Sequence, residues 1–268
     1  MDTQLEQLVQ TVLDSPKYQF ISPELVTRIG SQEMIKRASL KEAVKATKNK
    51  LHQIGGAYLE KPPDYAKWIS ELGAIPGSDA QEMKIACRRI LGWHASTRER
   101  MPILDNFYSE IFSRLPPVKT ILDIACGFNP LSLPWMPITS DTQYLAWDIY
   151  ADMIEFVNDF FRLTGQAGRA EVHDVLALDA TPRVDLALVL KTIPCLEQVD
   201  KSAGSQLLAA IQARYLLLSF PVRSLGGRSK GMPEHYETSF KRLAAGQPWQ
   251  VQRIEFASEL VFLVDKGP

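Results

Sequence analysis

Hydrophobic positions along this chain keep two different rhythms, and the change falls at Pro116-Pro117. Ahead of it, apolar residues recur three and four positions apart, as at Leu5, Leu8, Val9, Val12 and Leu13, which predicts helices. Ser22-Pro23-Glu24 reads as a helix start, with Ser at the cap and Pro in the first turn, and Gly30 reads as its stop. A further helix is expected over 32–53, broken by Gly55-Gly56. Pro62-Pro63 and Pro76-Gly77 mark turns. Ser96-Thr97-Arg98-Glu99 has capping-box spacing and predicts a helix that opens there and runs to about Leu115.

Beyond Pro117, short apolar runs at 120–125, 144–147, 169–172, 185–190, 215–219, 250–256 and 260–264 read as strands. Helical patterns fit 152–163, 201–212 and 233–244 between them. Such alternation implies a mostly parallel sheet with helices on both faces. The last two strands leave no room for a helix and should form an antiparallel hairpin at the sheet edge. Seven strands ending in a hairpin are the pattern of class I S-adenosylmethionine-dependent methyltransferases. The expected fold is therefore α/β: a Rossmann-like seven-stranded sheet over 116–268, preceded by an all-helical domain over 1–115.

The chain has 268 residues, enough for one large domain or a domain with an appendage. Its 30 Lys and Arg against 31 Asp and Glu give a net charge of -1, so any basic surface must be local. Met1–Glu6 has no positive segment followed by an apolar one, and no apolar run approaches the roughly 20 residues of a membrane helix. Cys87, Cys126 and Cys195 are odd in number and widely spaced, suggesting neither a disulfide framework nor a zinc cluster. A cytoplasmic, reducing location without membrane or metal is expected.

The first strand, Thr120-Ile121-Leu122-Asp123-Ile124-Ala125, runs into Cys126-Gly127, where a glycine lets backbone approach a ligand. Asp148 ends the second strand, where an acid can accept from both ribose hydroxyls or simply cap a helix. Asp174 follows the third strand and can accept from an adenine amino group. Acids at three successive strand ends favour an adenosine cofactor. A nicotinamide-binding fold would want G-x-G-x-x-G to seat a pyrophosphate. The loop here is Ala125-Cys126-Gly127-Phe128-Asn129-Pro130, which suits a cofactor without one, as S-adenosylmethionine is.

Gly56-Ala57-Tyr58, His94-Ala95-Ser96-Thr97-Arg98-Glu99-Arg100, the first-strand loop with Asn129-Pro130-Leu131, and Ser219-Phe220-Pro221 followed by Ser224-Leu225-Gly226-Gly227-Arg228 and Lys230-Gly231-Met232 carry a resemblance. Across nearly its whole length the chain resembles the 16S rRNA guanine-N7 methyltransferases that confer aminoglycoside resistance and act on guanine 1405. The resemblance implies a cofactor pocket of Tyr58, His94, Ala95, Ser96, Arg100, Gly127, Asp148, Asp174, Val175 and Leu190, with Arg100 on the methionine carboxylate. Read without it, His94 is a packed histidine and Ser96 an N-cap. Phe128 stands where the family usually has Leu, and Leu190 where a Phe precedes Lys191.

Lys191, Arg223 and Ser224 are the candidates for gripping the base, and Arg228 and Lys230 for gripping RNA from a glycine-rich cationic loop without acids. Between Arg28 and Lys50 lie seven cations against two acids. Lys41, Lys45 and Lys48 fall with Arg37 on one helix face, expected to dock on phosphates of 16S rRNA in the 30S subunit. A monomer is expected. Two other readings are a small-molecule methyltransferase, which leaves the basic helical half idle, and a silent RNA-binding protein, which leaves the cofactor positions without a role.

Overall fold

The computed structural model describes residues 3–59, 61–177, 180–222 and 232–267. Ahead of the sheet come α1 (Thr3–Leu13), α2 (Pro23–Lys36), α3 (Leu40–Leu51), α4 (Tyr65–Gly73), α5 (Ala80–Leu91), α6 (Ala95–Arg100) and α7 (Leu104–Phe112). The start of α2 is as read: Ser22 Oγ accepts from Leu25 N at 3.2 Å, with Pro23 in the first turn. Gly30, however, is no stop. It lies inside α2, and a Cβ there would come within 2.5 Å of the fully buried Leu8 side chain. This glycine serves the close approach of α1 to α2.

The helix expected over 32–53 is divided. Arg37 is extended after α2, and α3 begins behind Ser39. Ser39 Oγ accepts from Glu42 N at 3.3 Å while Glu42 Oε2 accepts from Ala38 N at 3.3 Å, a reciprocal cap that makes a new start cheaper than continuation. A π-helical turn, His52–Gly56, carries α3 into the two glycines.

The helix expected from Ser96 is also revised. His94 occupies the cap position of α6, with no side-chain cap bond, and Ser96 lies within the helix. Pro102 has no N–H to donate, and the chain passes through a 3-10 turn, Met101–Ile103, before α7.

The strands are β1 (Thr120–Ile124), β2 (Gln143–Asp148), β3 (Gly168–Val172), β4 (Val184–Leu190), β5 (Ala213–Pro221), β6 (Gln250–Glu255) and β7 (Glu259–Asp265), interleaved with α8 (Ala151–Thr164), α9 (Thr192–Leu196), α10 (Ala203–Ala210) and α11 (Met232–Leu243). All seven expected strands form, within two residues at each end. Their order is β3-β2-β1-β4-β5-β7-β6. β1 to β5 run parallel, and β7 enters antiparallel between β5 and β6 as the inner half of the expected hairpin.

Alternate residues of each strand face opposite sides, so the sheet has two cores. Leu122, Ile124, Val189 and Leu218 pack toward α9, α10 and α11. Ile121, Tyr144, Leu186 and Leu217 face the other way, and their cluster is continuous with Leu8, Leu25, Leu72 and Phe107 of the N-terminal helices. The helical half is thus packed into one face of the sheet.

Replacing Ser39 by Ala should lower stability by about 1 kcal/mol, the usual cost of a lost N-cap, in urea unfolding monitored by circular dichroism. A loss indistinguishable from zero would contradict the capping role.

Candidate cofactor and base-binding site

Strand order turns back on itself between β1 and β4, and a cleft opens at the strand ends there, as open α/β sheets dictate. It encloses about 900 Å³, part of it open to solvent, and the helical half roofs it. Two non-glycine residues at its floor have positive φ: Ala125 (54°) after β1 and Lys191 (58°) after β4. Such backbone costs on the order of 1–3 kcal/mol and persists where the surroundings impose it. Gly127 (51°) is required for a second reason, since a Cβ would lie 3.0 Å from the His94 ring.

Tyr58, His94, Ser96, Arg100, Asp148, Asp174, Val175, Leu190 and Lys191 all line the cleft. Ala95 and Gly127 shape it from behind. Ala95 N donates to Tyr58 O at 2.9 Å, and Gly127 N donates to Asp148 Oδ2 at 2.9 Å. Asp148 Oδ1 accepts from Ile149 N at 2.7 Å, while Tyr150 holds the cap position of α8, so this acid does not cap the helix. Burial raises the Asp148 pKa, and the backbone N–H groups work against that rise.

Several side chains have partners that sequence alone did not show. Arg100 is bidentate to Glu259 of β7, Nε to Oε2 at 2.8 Å and Nη2 to Oε1 at 2.7 Å, and Nη1 donates to Asn129 Oδ1 at 2.7 Å. The charge expected to meet a methionine carboxylate is therefore already paired within the protein. Burial disfavours the Glu259 charge, but Arg100 and Lys191 more than offset it and hold its pKa below the usual carboxylate value. Asp174 is engaged as well: Arg28 of α2 donates Nε to Oδ2 at 2.7 Å and Nη2 to Oδ1 at 3.0 Å.

Lys191 is buried and turned toward α6, its Nζ 2.7 Å from Ser96 O and 2.9 Å from Glu99 Oε2. His94 is the packed histidine of the plainer reading, and it also lines the cleft. Its ring stacks on Tyr58 at 5.5 Å and tilts against Phe128 at 5.6 Å. Burial first, then the charges of Lys191 and Arg100, push its pKa down to about 3, so the ring is neutral at physiological pH. Phe128 is fully buried in an aromatic cluster with Tyr65, Trp68 and Phe156, which accounts for the larger side chain there.

Asp123 is the acid whose valence is left open. Oδ2 accepts from Asn129 Nδ2 and Tyr144 Oη, each at 2.8 Å, but among the described residues buried Oδ1 has no partner. Burial raises its pKa to about 6, against the opposing pull of those bonds. An ammonium group in the cleft would supply the missing donor.

The basic stripe is divided too. Lys41 and Lys45 are exposed on α3, whereas Lys48 Nζ turns to Ser15 Oγ. Arg37 and Lys50 both pair with the buried Glu33, at 2.9 Å each, so Arg37 is not part of the α3 face. Arg223, Ser224, Arg228 and Lys230 lie outside the described residues.

A seven-stranded sheet with this hairpin edge, carrying acids at the ends of β1 and β2 and a cleft at the reversal point, defines a class I methyltransferase, whose cofactor is S-adenosylmethionine. The chain belongs to the ribosomal RNA methyltransferase (FmrO) family, whose model matches residues 14–263. It is 37% identical to a 16S rRNA (guanine(1405)-N(7))-methyltransferase of Micromonospora echinospora, over 99% of this chain and 98% of that one. A protein with the same description from Frankia casuarinae is 38% identical over 97% and 93% of the two chains. The crystal structure of the 16S rRNA methyltransferase RmtF in complex with S-adenosyl-L-homocysteine superposes with a TM-score of 0.85, at 32% identity and covering all of both chains.

A raised pKa means that the folded state favours the protonated acid. Ionising Asp123 therefore opposes folding as pH rises from its ordinary value, 3.8, through about 6. Cofactor binding should show the opposite trend, tightening as the carboxylate forms, so calorimetric affinity for S-adenosylmethionine should climb through pH 6 and then level. Asp123→Asn should flatten that profile. A wild-type profile already flat between pH 5 and 7.5 would remove Asp123 from cofactor binding.

Proposed function

We propose that this protein transfers a methyl group from S-adenosylmethionine to N7 of guanine 1405 of 16S rRNA within the 30S subunit, acting as a cytoplasmic monomer. Residues 116–268 carry the chemistry and residues 1–115 dock the RNA. The observation that carries the N7 assignment is the neutral, buried His94: a ring whose pKa is pushed down to about 3 is a poor proton acceptor. The other histidine of the cleft, His173, tilts against Trp147 with ring centroids 4.1 Å apart beyond β3, three strand positions from Lys191. Guanine N7 offers an in-plane lone pair with no proton to remove, so it needs no general base.

The cofactor supplies an electrophilic methyl on a sulfonium. What the chain supplies is placement. With the cofactor bound, Asp148 would hold the ribose hydroxyls and Asp123 the ammonium, while Arg100 would offer the carboxylate the Nη2 N–H not spent on Glu259 and Asp174 would offer the adenine amino group a lone pair not taken by Arg28. Val175, Leu176 and Leu190 exclude water around them. Alignment of this kind contributes up to ~7–11 kcal/mol in favourable cases. The base must leave its stack to reach the cleft, at a cost of a few kcal/mol. Lys41 and Lys45 on α3, with the Arg223–Lys230 segment, meet phosphates to offset that cost.

Three measurements test this reading. Primer extension on 16S rRNA, after reduction and aniline cleavage, should stop beside one guanine in the decoding region, because N7 methylation puts a labile positive charge on the ring. Cells expressing the protein should then resist 4,6-disubstituted deoxystreptamines, since bulk and like charge oppose a cationic drug. Methyl on an adenine or a ribose hydroxyl would overturn the mechanism. Asp148→Ala should weaken S-adenosylmethionine binding roughly tenfold or more in a protein that still melts cooperatively. The pair Lys41→Glu, Lys45→Glu should weaken 30S binding and flatten its salt dependence by roughly two charges, with cofactor affinity unchanged. An unaltered salt slope would make that face merely solvated.

A further inference from the structure

Lys191 lines the cleft, and Glu99 of α6 is paired with it at the rim. Lys191 Nζ has three N–H groups: one goes to Ser96 O at 2.7 Å and one to Glu99 Oε2 at 2.9 Å. Glu259 lies 3.9 Å away, beyond hydrogen-bond reach, so among the described residues the third N–H is left for a ligand. Glu99 is 30% exposed at its side chain, and among the described residues its second oxygen accepts no hydrogen bond. A lysine donor and a carboxylate acceptor therefore stand side by side at the end of β4.

Guanine presents the complement of that pair. Next to N7 on the purine edge comes O6, an acceptor, and next to O6 comes N1–H, a donor. Adenine reverses both, with an amino donor and a bare N1 acceptor. Tyr58 and His94 share the cleft lining with Lys191. Tyr58 is stacked on His94, and Tyr236 of α11 is stacked on Phe220 with centroids 5.0 Å apart. Burial first, then Cys195 and Glu99, raise the Tyr236 pKa.

We propose that Glu99 and Lys191 together select guanine, Lys191 Nζ donating to O6 and Glu99 accepting from N1–H, while N7 faces the methyl group. The assignment rests on the guanine-N7 reading above. It makes Glu99, which occupies the fourth place of the Ser96-Thr97-Arg98-Glu99 string, a residue that reads the base. It also gives a reason for a lysine to be held in a left-handed backbone conformation where its side chain turns back to α6.

The test uses 30S subunits reconstituted with 16S rRNA carrying one altered base at the target position. Hypoxanthine keeps N7, O6 and N1–H. 2-Aminopurine keeps N7 but lacks O6 and N1–H. Wild-type protein should methylate guanine and hypoxanthine comparably and 2-aminopurine slower by roughly tenfold or more. Glu99→Ala should lower the guanine rate toward the 2-aminopurine rate, with S-adenosylhomocysteine affinity, 30S affinity and melting temperature retained. Glu99→Gln, which keeps an acceptor oxygen and the shape, should recover part of the discrimination. If Glu99→Ala keeps the full wild-type ratio between guanine and 2-aminopurine, Glu99 does not read the base. If wild type methylates no guanine in the subunit, it is the underlying reading that fails instead.

Discussion

Glu259 is a carboxylate with no contact to water, and much of the site follows from how its charge is answered. An unpaired buried charge costs several kcal/mol, and even a paired one is stabilised only when its geometry is good. Here Arg100 offers two parallel N–H groups, Ser219 a hydroxyl at 2.8 Å, and Lys191 a second positive charge. These partners come from α6, β5 and the end of β4, so one carboxylate on the antiparallel strand ties three elements to a single point. Arg100 then passes the constraint to Asn129, and Asn129 to Asp123. The loop after β1 is thereby tied to the helical roof as well as to the sheet. Rotation of one member would leave the others with unanswered charge, which is a strong reason for this part of the cleft to stay put.

The remaining chemistry is economical because the target atom needs no activation. A fold that had to deprotonate a hydroxyl or amine would need a base poised near neutral pH. Here burial pushes the roof histidine down to about 3, both oxygens of Asp148 accept backbone N–H groups, and Asp123, raised to about 6, is assigned to the cofactor's ammonium group and not to the target base.

Strand positions were legible because short apolar runs bounded by breakers fit a strand and little else, and Asp148 was legible because it ends one of them. The helical half was less so, for local reasons. Gly30 has the composition of a stop but the environment of a contact, and only the neighbouring Leu8 distinguishes the two. Ser39 and Ser96 both precede a glutamate by three residues, yet only Ser39 caps a helix, because the other helix already begins at Ala95 behind His94 and Glu99 pairs with Lys191. Arg28 with Asp174 and Arg100 with Glu259 are 146 and 159 residues apart, and no spacing rule reaches that far. Asn129 was present in the string that carried the resemblance, but its part as the link between Arg100 and Asp123 needed coordinates.

The apolar cluster that runs without interruption from the N-terminal helices onto one sheet face has a consequence for ancestry. Interdomain contacts in multidomain chains are usually modest and polar, which lets modules be shuffled between proteins. Here Leu8, Leu25 and Phe107 share their core with Leu186 and Leu217, so the helical half is no detachable adaptor clipped to a generic catalyst. A recombination event that exchanged one half alone would inherit mismatched interdigitating side chains along the seam. The gene is better suited to travel whole, and its diversification should proceed by paired changes across that seam.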